Sequence, residues 1–88
     1  MQIYTTTLTE GILQLDRVDG AMVISVQPAI TGGQCLFTGN LPFKGVQPTA
    51  VTLTSGQVLN YAAASANSPL DGITITWVSG NVDVIVGF

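Results

Sequence analysis

Histidine is absent from the 88 residues. Its absence removes the commonest general acid and base, the Ser-His and Cys-His nucleophile pairs, and most zinc sites. Charge is scarce as well. Two cations and five anions make up 8% of the chain, against about 25% in a typical domain. The cations, Arg17 and Lys44, stand far apart, and the formal net charge is −3. Nucleic-acid binding needs clustered Lys and Arg to displace counterions, so no nucleic-acid partner is expected. Long apolar runs are missing too, although the mean hydropathy is +0.51. The uncharged stretch 21–43 is interrupted by Pro28, Gly32, Gly33, Gly39 and Pro42, and its longest apolar run is Ala21-Met22-Val23-Ile24. A spanning helix takes about 20 predominantly apolar residues, so no membrane span is expected. Met1-Gln2-Ile3-Tyr4 has neither a basic n-region nor an apolar h-region, which predicts synthesis in the cytoplasm without a secretory signal. The lone cysteine, Cys35, has no intrachain disulfide partner. Lying between Gln34 and Leu36 in an apolar strand-like run, it reads as a buried, inert thiol.

What is present is β-branched, punctuated by glycine, and without a sustained 3.6-residue period. The expected strands are 2–9, 12–15, 22–26, 34–38, 49–54, 57–62, 73–78 and 82–88. Turn chemistry separates them at Glu10-Gly11, Asp19-Gly20, Thr31-Gly32-Gly33, Gly39-Asn40-Leu41-Pro42, Ser55-Gly56, Asp71-Gly72 and Ser79-Gly80-Asn81. Pro28, unable to donate to a central ladder, is expected to end the third strand. Residues 63–69 are the one place for a short helical turn or an irregular crossover. The last two strands read as a hairpin, with Ile73, Ile75, Trp77, Val82, Val84 and Val86 forming the inner face of one sheet. Several short strands at regular spacing in a chain of this size predict one all-β domain over 1–88. The expected form is a small antiparallel β-sandwich or barrel, Greek-key or jelly-roll-like.

Candidate chemistry is thin. Lys44, in Pro42-Phe43-Lys44-Gly45, has no matching serine motif and reads as a loop charge. Asp16 with Asp19, or Asp71 with Asp83, could pair carboxylates for hydrolysis, but each sits at a turn or on an alternating polar face. The run Asp16-Arg17-Val18-Asp19-Gly20 lacks the ligand periodicity and closing glutamate of a calcium loop. No lysine and no helix follow Gly32-Gly33, as a phosphate loop would require. The expectation is no catalytic, cofactor or metal site. Two binding features remain. Tyr4, Tyr61 and Trp77 could stack on a sugar ring, with Asn60, Asn67 or Asn81 as partners, although Trp77 falls in phase with Ile73 and Ile75 and reads as core. The strand 2–9 could instead add to a neighbour's sheet, or be a plain edge blunted by threonine and Glu10.

The low charge fits a Thr- and Ser-rich β surface. It fits better a surface covered by other subunits, because interface cores are depleted in charge. The C-terminal half, from Thr49-Ala50-Val51-Thr52-Leu53-Thr54-Ser55-Gly56-Gln57 through Asp71-Gly72-Ile73-Thr74-Ile75-Thr76 to Gly80-Asn81-Val82-Asp83-Val84, resembles small virion proteins of tailed bacteriophages, of the head decoration or cement type. That resemblance implies a non-enzymatic homo-oligomer, often a trimer, seated on the major capsid protein or another virion protein and clamping the shell. A fibre, baseplate or neck component would share these features. The alternative from another class is a carbohydrate- or receptor-binding β module of a fibre or baseplate. A small cytoplasmic β domain with a protein partner is the third reading.

Overall fold

The computed structural model of the chain describes residues 2–39, 44–63, 65 and 67–88. Among these residues eight strands form two sheets: β1 (Ile3–Leu8), β2 (Ile12–Leu15), β3 (Val23–Pro28), β4 (Gln34–Gly39), β5 (Val51–Leu53), β6 (Leu59–Ala62), β7 (Ile73–Ser79) and β8 (Val82–Gly87). Sheet A has the order β1-β8-β3-β6 and sheet B the order β2-β7-β4-β5. All pairings are antiparallel. β1 pairs with β8, β2 with β7, β3 with β6, and β4 with β5. The chain is thus one long double-back about the β4–β5 connection, wrapped so that successive pairs fall in opposite sheets. That is a jelly roll, the two-sheet member of the expected class.

Alternation builds the core. Val82, Val84 and Val86 point inward from β8, Ile24 and Val26 from β3, Ile73 and Ile75 from β7, and Cys35 and Phe37 from β4; all are buried. Fully burying such a side chain contributes roughly 1.5–3 kcal/mol before chain entropy is set against it. Trp77 continues the inner face of β7 opposite Cys35, and it is half-buried against this core rather than enclosed by it.

Several expectations need correction. β7 and β8 are not a hairpin: they lie in different sheets, and Ser79-Gly80-Asn81 is the corner between them. The six residues assigned to a single inner face therefore line two faces that meet across the core. Asp19-Gly20 likewise makes no hairpin. It closes a 3-10 turn, Arg17–Asp19, with Gly20 in the left-handed region at φ 75°, on the way from sheet B to sheet A. β3 begins one residue later than expected and includes Pro28. Pairing with β6 stops at Val26, so the ring sits where no donor is needed on that side. The expected helical turn at 63–69 falls partly, at Ala64 and Ala66, outside the described residues, as does the break at Asn40, Leu41 and Pro42. Within 63–69, Ser65 and Ser68 form an isolated antiparallel bridge.

The connections β1–β2, β3–β4, β5–β6 and β7–β8 gather at one end of the sandwich. The connections β2–β3, β4–β5 and β6–β7 gather at the other. At the first end the Ala29 N–H donates to the Asn81 carbonyl at 2.8 Å, and the Ser79 hydroxyl to the Gly32 carbonyl at 2.8 Å. At the second the Leu70 N–H donates to the Ala21 carbonyl at 2.8 Å.

Candidate functional site

Charge is placed as unevenly as it is scarce. Glu10, Asp16, Arg17, Asp19, Lys44 and Asp71 all lie in connections, and Asp83 on β8 is the single charged residue within a strand. Apart from Asp83 on sheet A, the broad outer faces of the sheets are left to uncharged side chains. Registry fixes those faces, because directly opposed residues in an antiparallel pair share a side. On sheet B, Ile12 and Gln14 of β2, Thr74 and Thr76 of β7, and Leu36 and Thr38 of β4 share the outer face. No charged side chain stands on this face among the described residues.

The outer face of sheet A is hollowed. Two open depressions lie side by side on it. One, of about 330 Å³, lies over β3, β6 and β8 against Val23, Ser25, Asn60, Ala62 and Ile85. The other, of about 560 Å³, lies over β1, β8 and β3 against Thr5, Thr7, Gln27 and Asp83, and shares Ile85 with the first. Ile85, 44% exposed, forms the ridge between them. Asp83 accepts a hydrogen bond from the Thr7 hydroxyl at 3.0 Å. The first hollow is thus apolar with two neutral polar groups, and the second is a hydroxyl- and amide-lined hollow with one carboxylate.

The candidate residues named from sequence are dispersed. Asp71 does not meet Asp83: its carboxylate accepts the Arg17 backbone N–H at 3.1 Å, at the far end of the sandwich. Asp19 accepts the Asp16 N–H at 2.7 Å and so holds the 3-10 turn. Among the described residues no three His, Cys, Asp or Glu side chains converge as metal ligands would. Lys44 is exposed, with a left-handed φ of 48°. Cys35 is fully buried, and desolvation by that burial pushes its thiol pKa up from 9.0, which keeps it protonated and unreactive.

The aromatic side chains do not form one platform either. Tyr4, on one edge strand of sheet A, packs edge-on against Phe88 with ring centroids 5.5 Å apart. Tyr61, on the opposite edge strand, leans on Phe37 at 6.5 Å. Trp77 is in the other sheet, where its indole N–H donates to the Gly80 carbonyl at 2.6 Å. Of the proposed partners, Asn60 lines a hollow, and Asn67 and Asn81 lie in connections, where their backbone carbonyls accept from Arg17 and Ala29. The outer face built by Val23, Ser25, Ala62 and Ile85 escaped the reading of the sequence. Its period of two is visible in each strand, but strands far apart in the chain must first be paired for the face to exist. Comparison of the chain with protein-family models, with curated proteins and with solved structures finds no match.

Proposed function

We propose that the chain is a non-catalytic structural subunit of a virion, of the capsid decoration or cement kind. In this reading it acts as an assembly of copies bound to the major capsid protein or another virion protein, and it strengthens the shell by adding contacts between subunits. The observation that carries the proposal is the confinement of charge. With six of the seven charged residues in connections, the sheet faces have the charge depletion of surfaces that protein covers. Ile85 is exposed in the middle of the outer face of sheet A and Ile12 on an edge strand of sheet B, apolar surface that a covering protein would bury. Jelly rolls serve viral capsids and lectins alike, so the fold alone does not choose between them. The scatter of Tyr4, Tyr61 and Trp77 favours the structural role over a sugar platform.

Density-gradient purification of particles from the native source, followed by mass spectrometry, tests this reading. The chain should co-sediment with the particle, and its removal should lower the temperature at which the shell opens. Recovery of the chain solely as free protein, or a glycan that quenches Trp77 fluorescence in titration, would overturn it.

A further inference from the structure

We propose that β1 is a self-pairing edge. Two copies join β1 to β1 antiparallel about a twofold axis through Thr5, which fuses two four-stranded sheets into one of eight. The inference deepens the subunit reading and rests on it for the presence of many copies, but it follows from the backbone of one strand.

β1 stands at the edge of sheet A and pairs with β8 without interruption, from Ile3 opposite Gly87 to Leu8 opposite Val82. Just before it, Gln2 and Phe88 exchange both of their backbone hydrogen bonds, at 3.2 and 2.8 Å. Exchanging and non-exchanging pairs alternate along an antiparallel ladder. Tyr4, Thr6 and Leu8 therefore spend their N–H and C=O groups on β8, whereas Ile3, Thr5 and Thr7 turn theirs away from the sheet. Three donors and three acceptors in one row point off the edge.

Nothing on β1 guards that row. Edge strands are commonly blunted by lysine, proline, a bulge or shortness. Ile3–Leu8 has no charge, no proline and no register shift, and at six residues it is longer than the other edges, β2, β5 and β6, of four, three and four. Ile3 is 64% exposed and Tyr4 56%.

The row is complementary to itself. With Thr5 opposite the partner's Thr5, Ile3 falls opposite the partner's Thr7 and Thr7 opposite the partner's Ile3. Each of these three pairs exchanges two hydrogen bonds, so every free group on both strands is used. Tyr4 comes beside the partner's Thr6 on the core side, and no two charges are opposed. A twofold contact of this kind is isologous and closed, so it stops at two copies instead of growing into a fibre.

Sedimentation velocity of the isolated full chain is the test. The native chain should sediment as a dimer. Thr5→Pro should sediment as a monomer with nearly native melting, because it deletes an N–H that faces away from β8, a place where edge strands tolerate proline. Thr6→Pro, which deletes a bond to β8, should instead cost the fold. Cysteine substitutions read the register independently. Opposed residues in an exchanging pair have Cα atoms about 5.5 Å apart, within disulfide range. Thr5→Cys should therefore cross-link to itself on mild oxidation. Thr7→Cys should not cross-link to itself but should join Ile3→Cys in a mixture. A monomer at every concentration, a trimer, a dimer indifferent to Thr5→Pro, or Thr7→Cys cross-linking as well as Thr5→Cys would overturn the proposal. A protein that is monomeric in isolation yet present in purified particles would sink this edge and leave the virion role standing. A β1 dimer that enters no particle would do the reverse.

Discussion

The two ends of the sandwich are held by different means. At the end where β3–β4 meets β7–β8, the backbones touch: glycine lets them approach, and the hydrogen bonds run to carbonyls, from Ala29 to Asn81, Ser79 to Gly32 and Trp77 to Gly80. At the other end the connections carry Asp16, Arg17, Asp19, Lys44 and Asp71, five of the seven charges, and side-chain carboxylates accept the backbone donors of the 3-10 turn. One end is closed by close backbone approach at glycine, the other chiefly by carboxylate side chains. Close packing has no slack, whereas an exposed carboxylate can be replaced by water. The glycine end should therefore dominate stability, and substitutions at the two ends should rank accordingly.

The sharpest test is Gly33→Ala. A β-carbon there would run into the Ala29 nitrogen and stand 2.6 Å from the Asn81 carbonyl oxygen. Both are backbone atoms tied to each other, so neither can move alone. Overpacking of this kind costs about 3 kcal/mol, read as a fall in the urea midpoint at constant slope. Gly39→Ala is the control, since among the described residues nothing lies within 4 Å of the β-carbon it adds and its φ is not left-handed. Its effect should stay within about 0.5 kcal/mol. Equal losses at the two positions would mean that glycine is required in these strands for some reason other than close approach.

Trp77 comes next, because it belongs to the core and to the glycine end at once. Trp77→Ala removes a half-buried indole and should cost about 3 kcal/mol, the lower bound for large aromatic truncations. Trp77→Phe keeps most of the ring but strips the Gly80 carbonyl of its 2.6 Å donor, for about 1 kcal/mol. Circular-dichroism unfolding measures both without the tryptophan signal. A Phe variant as damaged as the Ala variant would shift the weight from apolar packing to the corner hydrogen bond.

That dual role also marks where the sequence stops being legible. The period of two in Ile73-Thr74-Ile75-Thr76-Trp77 and in Val82-Asp83-Val84-Ile85-Val86 locates two strands and their buried faces. Ser79-Gly80-Asn81 locates a reversal between them. It does not say whether the reversal stays within a sheet or crosses to another, because a hairpin and a corner both require a left-handed residue, and Gly80 supplies it at φ 62°. At the crossing the corner packs on Gly32 and Gly33, some fifty positions earlier in the chain. Asp19-Gly20 repeats the lesson, since a 3-10 turn and a hairpin draw on the same dipeptide. The outer faces were out of reach for a related reason. Val23, Ala62 and Ile85 are neighbours only through the pairings β3–β6 and β3–β8, and non-local pairing leaves no local mark. The charge scarcity, by contrast, was legible at once, and the fold adds where the few charges go.

At the charged end the expected effects are the smallest. Asp71 is half-buried and accepts the Arg17 backbone N–H at 3.1 Å, while the Arg17 guanidinium donates to the Asn67 carbonyl at 3.3 Å. Asp71→Ala leaves one backbone donor to water and should cost about 1 kcal/mol. Asp71→Asn retains an acceptor oxygen at that place and should cost less. Arg17→Ala keeps the backbone donor, loses only the exposed contact to Asn67, and should fall within about 0.5 kcal/mol. The three variants separate the hydrogen bond from the charge: if the bond matters, Asn behaves like the native residue and Ala does not. Salt should then have little influence, because a hydrogen bond to a backbone donor survives screening that removes an exposed charge effect. If Asp71→Asn falls as far as Asp71→Ala, and the difference from native vanishes in 1 M salt, charge rather than backbone satisfaction holds this end. If either loss reaches that of Gly33→Ala, the two ends are equals and the contrast between them fails.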